Sequence, residues 1–323
     1  MRCRVNKLMK NITVLLAAHN AEKYLTDALN SLAGQNYSRF KLLAVDDGST
    51  DQTLTQLEEE KRFEVKVIRN EQNMGLTHSL NRGFKEVDTE FVARMDADDI
   101  CEPKRFEEQI AAMSNDTEFG LIGSQVLHVD HSGRKIERPV SPLNHARFEL
   151  VGAGCTPAWH PSVMMRTSVL RKLEGPYDSS FSTTQDYDLF ERISRFSRCK
   201  NLRTRLIRYR VHGNAISHTK RELQDNLRRK VSYRVLRHWG ANEEQTMRFS
   251  KLAMGDAQSD NRAELMGNVR DFMCFLNSLD RWKPQDLRWY QSYLLGRLYH
   301  YQLMHGEGAA RRWKLKLSQF LPQ

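Results

Sequence analysis

Glycine-rich phosphate cradles are missing from this sequence. No GxGxxG comes after the first apolar run and no GxxxxGK[ST] occurs, which argues against a nicotinamide-dinucleotide enzyme and against a P-loop NTPase. The five cysteines are odd in number, scattered, and form no CxxC or Cys/His metal spacing. Neither a disulfide framework nor a zinc site is therefore expected, and a reducing cytoplasm is the expected location. No stretch approaches ~18 uninterrupted apolar residues, so no transmembrane helix is expected. Seventeen glycines and eight prolines are too few for a collagenous or low-complexity chain, and no internal repeat is visible. No nucleic-acid-binding module is recognisable either.

What is present is enough chain for roughly two domains, 323 residues at about 150 each. The net charge of +10 is unevenly distributed. Residues 191–323 carry 27 Lys/Arg against 12 Asp/Glu, whereas residues 1–190 carry 23 against 28. A one-sided basic segment suggests a polyanionic neighbour, either nucleic acid or the anionic face of a membrane, and with no nucleic-acid module the membrane is the preferred partner. The start MRCRVNKLMK with ITVLLAA after it imitates a secretory signal, but a buried strand over 12–18 is the preferred reading because the residues beyond it continue a strand–helix alternation.

Short β-branched runs recur about every 25 residues, at 12–18, 40–45, 63–68 and 90–95, with helical patterns over 21–32, 51–60 and 76–85 between them. This is the rhythm of β-α units that build a parallel sheet covered on both faces. Beyond Asp99 the spacing predicts a helix over 103–113, a strand over 119–129 returning as a hairpin through Arg138, and a helix over 186–196. From 219 onward the pattern is helical, with Val231, Tyr233, Leu236, Trp239, Leu287, Trp289, Tyr290, Leu294 and Leu295 among many basic residues. Such stretches suit either a membrane interface or an ordinary helical core.

Ligands of open α/β sheets bind beyond the carboxyl ends of the strands. Four such tips are crowded with Asp and Asn: His19-Asn20, Asp46-Asp47 through Asp51, Asn70 through Gly75, and Asp96-Ala97-Asp98-Asp99. The carboxylates of Asp46 and Asp47 can accept from a uracil imide or a ribose hydroxyl, although Asp-Gly-Ser-Thr-Asp is also ordinary turn and cap chemistry. Three carboxylates within residues 96–99 repel one another unless cations lie between them, and they are the ligand type that Mg²⁺ or Mn²⁺ takes, a solvated acidic loop being the alternative. A metal loop beside a nucleoside loop, with no phosphate cradle, points to a diphosphate handled by a cation.

The segments AAHNAEKYLTDALNSLAGQ, LLAVDDGSTDQT, VIRNEQNMGLTHSLNRGF and ARMDADDICEPKRFEEQ, in this order and spacing, resemble family 2 nucleotide-sugar glycosyltransferases of the bacterial cell-surface polysaccharide type. The resemblance covers residues 11–217. It implies an α/β fold of the GT-A, Rossmann-like kind, a mostly parallel sheet flanked by helices, with residues 11–100 as the nucleotide-binding half, 101–217 as the acceptor half, and 218–323 as a basic helical extension. It implies an inverting transferase, for a hexose or N-acetylhexosamine, that uses a UDP-sugar donor, a divalent cation and a glycan or lipid-linked acceptor at the inner face of the membrane.

The resemblance also assigns residues. Ala18, His19, Asn20, Asp46, Asp47, Asn73, Gly75, Asn81, Arg94 and Asp96 would bind the nucleotide, and Asp98 and His212 the metal. Asp96 and Asp98 match the outer positions of the DxD motif. Leu80 stands where many members carry Arg, which leaves Arg82 as a displaced substitute. The base is usually found in a Glu-Asp segment opening a helix, which here reads Gln185-Asp186-Tyr187-Asp188. Asp186 is thus the candidate base, taking a proton from the acceptor hydroxyl. A helix-opening acid favoured by the macrodipole is the alternative for Asp186. His160, Asp188 and Arg210 are candidates for acceptor or diphosphate contacts. The departure at Gln185 keeps open a second reading, a non-catalytic sugar-nucleotide or glycan-binding assembly protein.

Overall fold

The computed structural model describes residues 11–130, 133–136, 141–173, 175–211, 221–256 and 262–305. The chain divides into two compact units: one holds residues up to 144 together with 158–221, the other 145–157 together with 222 onward.

The first unit is built on one mixed sheet. Its strands are β1 (Ile12–Ala18), β2 (Phe40–Asp46), β3 (Val65–Arg69), β4 (Phe91–Asp96), β5 (Ile100–Cys101), β6 (Phe119–Val129), β7 (Lys135–Ile136), β8 (Met164–Arg166) and β9 (Arg198–Arg210). The order across the sheet is β3-β2-β1-β4-β8-β6-β9-β5, with β7 paired to β6. β1, β2, β3 and β4 pair in parallel, as do β6 and β9, while β8 runs antiparallel between β4 and β6. β1 and β4 are buried almost end to end, as strands covered on both faces must be.

Helices α1 (Glu22–Ala33), α2 (Thr53–Glu59), α3 (Leu76–Phe84), α4 (Arg105–Asn115), α6 (Thr167–Leu170) and α7 (Gln185–Ser194) belong to this unit, and a 3₁₀ turn spans His160–Ser162. On α1 the residues Leu25, Ala28, Leu29 and Leu32 form the buried stripe that the 3.6-residue period requires. The first two helices cap each other. Asp51 accepts from the Glu22 N–H at 3.2 Å and Thr53 Oγ1 from the Ala21 N–H at 2.7 Å, while Glu22 accepts from the Gln52 N–H at 2.9 Å. Most of the Gly-Ser-Thr-Asp chemistry after β2 is therefore spent on orphan helix N–H groups.

The second unit contains α5 (His145–Val151), α8 (Arg221–His238), α9 (Glu243–Met254), α10 (Arg262–Ser278) and α11 (Pro284–His305). Val231, Leu236, Trp239, Leu287, Tyr290 and Leu294 are buried here and pack a helical core, while Tyr233, Trp289 and Leu295 are half-buried. Trp239 and Trp282 meet edge to face at 4.8 Å, and the buried Glu149 of α5 accepts from Trp282 Nε1 at 3.2 Å and pairs with Arg281. Among the described residues no helix is long and apolar enough to cross a membrane. The stretch 310–317 and residues 1–10 lie outside the described residues.

Candidate functional site

Strand order reverses at β1: the chain moves outward through β2 and β3, then returns to add β4 on the other side of β1. A crevice opens at such a switch point. Register places Ala18 beside Asp46 and Ala17 beside Asp96, so the acidic tips of β2 and β4 flank the end of β1.

At the β2 tip, Asp46 is fully buried and Asp47 nearly so. The Asp46 Oδ2 atom accepts from the Ser49 N–H at 3.4 Å, and Oδ1 has no hydrogen-bond partner among the described residues. Asp47 gathers the β3–α3 loop: Asn70 Nδ2 donates to it at 2.6 Å, and the Met74 and Gly75 N–H groups each donate at 2.9 Å. Burial pushes the Asp47 carboxyl up, but the Met74, Asn70, Ser79 and Gly75 hydrogen bonds outweigh it and hold the group below its ordinary range. Gly48 makes this approach possible, since it has φ +70° and a Cβ there would stand 2.4 Å from the Gln72 backbone. Asn73 accepts from the Gly75 N–H at 3.1 Å. The exposed His19 meets the Asp47 carbonyl through Nδ1 at 3.0 Å, and Asn20, at φ +49°, accepts from the Thr50 N–H at 2.9 Å.

At the β4 tip, Arg94 is completely buried and pairs with Asp96, which keeps 28% side-chain exposure. Arg94 Nε and Nη1 have no hydrogen-bond partner among the described residues, an arrangement that suits an absent acceptor. Burial raises the Asp96 carboxyl, Arg94 opposes this, and Asp98 adds to it. Asp99 is raised further, by burial and then by Asp98 and Asp96. Arg210 braces the loop from β9: its N–H donates to Asp99 Oδ1 at 2.9 Å, Nε to the Asp98 carbonyl at 3.0 Å, and Nη2 to Asp27 at 3.1 Å. Beneath, the buried Arg105 donates to the Arg94 carbonyl at 2.6 Å and to Gln109 at 3.1 Å, tying β4 to α4.

No group of three metal-ligating side chains is assembled among the described residues. Mg²⁺ and similar ions are commonly held by one or two carboxylates plus substrate phosphates, and the crowded Asp96 and Asp98 are side chains of that ligand type. His212 lies outside the described residues.

The third element is the start of α7. Thr184 is left-handed at φ 64°, a conformation that costs a β-branched residue energy, and it sets the direction of the next turn. Asp186 comes next but one, partly exposed. Burial pushes its carboxyl up to about 6; the Tyr187 and Asp186 N–H groups oppose the shift, Asp96 adds to it and Arg94 opposes it. The acidic loop and α7 are thus close enough to act on one another's charge. Asp188 is turned into the protein and pairs with Arg192 at 2.7 Å, while Gln185 is buried.

His160 and Asn81 both converge on Tyr177. His160 Nε2 lies 2.9 Å from the Tyr177 hydroxyl, and Asn81 Nδ2 donates to the Tyr177 carbonyl at 2.6 Å while its Oδ1 accepts from the Tyr177 N–H at 3.1 Å. Burial, and then Arg94, hold His160 well below the ordinary histidine range, so its ring is neutral. Asn81 therefore fastens the segment leading to α7. Arg82 donates to the Arg69 carbonyl at 2.7 Å and to Asn70. Sequence reasoning did not single out Arg105 or Tyr177. Each is a polar residue with partners distant in sequence, the Arg94 carbonyl for Arg105 and Asn81 for Tyr177, and only an apolar neighbourhood around a polar residue could have signalled it.

Residues 13–174 match the family described as Glycosyl transferase family 2. An uncharacterized glycosyltransferase of Haemophilus influenzae is 30% identical over 237 residues, covering 68% of this chain and 71% of that protein. The UDP-Glc:alpha-D-GlcNAc-diphosphoundecaprenol beta-1,3-glucosyltransferase of Escherichia coli is 25% identical over 213 residues, 65% of this chain and 80% of that protein. Among solved structures, S. aureus TarS in complex with UDP-GlcNAc superposes with a TM-score of 0.62 at 17% identity, covering 89% of this chain and 88% of that one. A Pyrobaculum calidifontis mannosyltransferase in complex with GDP-Man and Mn²⁺ gives 0.53 at 14% identity, over 96% and 80%. The last two likenesses establish the fold.

Proposed function

Because the chain belongs to glycosyl transferase family 2, we propose that it is an inverting, cation-dependent transferase that moves a sugar from a UDP-sugar to a hydroxyl of a glycan or lipid-linked acceptor. The observation that carries the reading is the placement of Asp186, partly exposed, pushed up to about 6, and within electrostatic reach of Asp96. A carboxylate poised there is ionised at neutral pH yet basic enough to take a proton from an attacking hydroxyl.

In this reading the β2 tip holds the nucleoside, with Asp46 and Asp47 as acceptors and Ala18, His19, Asn20, Asn73 and Gly75 shaping the floor. Asp96 and Arg94 meet the donor at the β4 tip, Arg94 through the buried Nε and Nη1 that have no partner among the described residues. A bound Mn²⁺ or Mg²⁺, held by Asp98 with Asp96, would neutralise charge developing on the leaving diphosphate. Asp186 accepts the proton as the acceptor oxygen attacks the anomeric carbon. Asp188, Arg210 and Asn81 hold the loops that carry these groups, and His160 supports Tyr177. The relative from Escherichia coli, named for UDP-Glc and a diphosphoundecaprenol acceptor, supports UDP and a lipid-linked acceptor in surface-polysaccharide assembly. Contact with an anionic membrane would then run through exposed Arg and Lys of the basic C-terminal region.

The test is a thermal-shift and donor-hydrolysis screen of UDP-, GDP-, CMP- and TDP-sugars with Mn²⁺ or Mg²⁺, on the native protein and Asp186→Asn. Stabilisation by UDP-sugars with hydrolysis lost in the variant is the expected result. Binding with no hydrolysis or transfer to any acceptor would favour the binding-protein reading that Gln185 raises, and no binding at all would overturn both.

A further inference from the structure

Three aromatic side chains beside the acidic loop have no part in the chemistry above. His128 near the end of β6 and Tyr209 near the end of β9 are register partners on parallel strands, so both rings arrive at the same end of the sheet. Trp159, the residue before the 3₁₀ turn, completes the group. Its ring centroid lies 4.5 Å from His128 and 5.2 Å from Tyr209, and the His128 and Tyr209 rings are 5.3 Å apart. His128 is buried, whereas Trp159 and Tyr209 remain partly exposed. The buried ring therefore backs two rings that reach solvent.

The position of this group is informative. β6 and β9 lie on the opposite side of β4 from β2 and β3, away from the nucleoside tip. The residue after Tyr209, Arg210, donates its N–H to Asp99 Oδ1 at 2.9 Å and its Nε to the Asp98 carbonyl at 3.0 Å, so the end of β9 that carries the Tyr209 ring is tied to the acidic loop. A pyranose presents a face of C–H bonds and a rim of hydroxyls. The electron-rich face of an aromatic ring matches the first, and nearby carboxylates match the second.

We propose that Trp159 and Tyr209, backed by His128, form the wall on which a pyranose ring of the acceptor packs, presenting a hydroxyl to Asp186. The proposal rests on the transferase reading. It assigns selection of the acceptor to ring contact, so that an acceptor pyranose with an uninterrupted C–H face is preferred.

The probes are methyl β-D-glucopyranoside, methyl β-D-galactopyranoside and methyl N-acetyl-β-D-glucosaminide, observed by saturation-transfer NMR with the full chain, UDP and Mg²⁺. UDP thermal shift is measured in parallel. In the native protein at least one pyranoside should receive saturation on its ring C–H protons. Trp159→Leu, which keeps an apolar side chain but removes the ring, should lower that signal about fivefold, the scale of an aromatic contact. Trp159→Phe should retain most of it, and the UDP shift should be the same in all three proteins. The proposal is overturned if the native protein binds UDP but no pyranoside, if Trp159→Leu leaves the signal intact, or if Trp159→Leu loses the UDP shift as well. A loss of UDP-sugar affinity with pyranoside contact unchanged would assign the wall to the donor sugar and overturn it too. If the native protein binds no nucleotide, the transferase reading itself falls, a result distinct from all of these.

Discussion

The tip of β2 and the first turn of α7 each present an aspartate to the same end of the sheet, and their surroundings treat the two in opposite ways. Asp47 is buried but collects N–H donors from Asn70, Met74 and Gly75, so its charge is favoured. Asp186 has backbone N–H groups of its own turn but faces the charge of Asp96, and burial dominates. One carboxylate becomes a fixed acceptor that organises a loop; the other is left able to exchange a proton. Environment, not residue type, divides the labour.

The comparison breaks most visibly if the two aspartates are replaced in turn. Asp186→Asn should lower transfer by ~10²–10⁴, the usual contribution of a general base, with UDP affinity unchanged. A native transfer rate in this variant would place the base elsewhere. Asp47→Ala should instead act on binding: losing charged hydrogen bonds worth ~1.5–3 kcal/mol each predicts roughly 10–100-fold weaker UDP-sugar binding by calorimetry, with transfer at saturating donor largely retained. Equal effects on binding and turnover in both variants would erase the distinction.

The pH profile sharpens it. A base pushed up to about 6 is unprotonated above that value, so kcat/KM should fall with slope one as pH drops through about 6. Asp47, held low, should add no limb in that range. The smallest effect is on stability. A raised carboxyl pKa costs stability as pH rises from the unfolded value through the folded one, and the cost persists above it. Asp186→Asn should therefore raise the melting midpoint at pH 7.5 by about 2–4 °C, with the gain fading toward pH 4. Asp47→Asn should lower the midpoint at pH 7.5, because a depressed carboxyl stabilises above its unfolded pKa.

Much of this arrangement was legible in the residues. Strand β6 falls on 119–129 as the apolar run predicts, β1 on 12–18, and helix α3 begins at Leu76 after Gly75. Parallel strands buried on both faces leave continuous apolar text, and their tips leave Asp and Asn, so local pattern suffices. It does not suffice where a polar residue is satisfied from afar. Arg94, expected to meet the nucleotide, and Arg105, which no local pattern singles out, are both wholly buried, and the Tyr177 contacts that fix Asn81 and His160 span 96 and 17 residues. β8, three residues long and antiparallel in a mostly parallel sheet, has too short a period to read. Nor does any composition shift announce that 145–157 belongs with residues beyond 222.

That last feature sets a schedule for biosynthesis. Glu149 finds Trp282 across 133 residues of chain, so α5 emerges from the ribosome long before its partners exist. At ~5–20 residues per second, roughly ten seconds pass with Phe148, Leu150 and Val151 uncovered. The sheet unit, whose own chain ends near 221, can close during that interval while a loop of it waits. A nascent chain stalled or cleaved near 220 would carry α5 without the helices it packs with, the form of product that chaperones and proteases recognise.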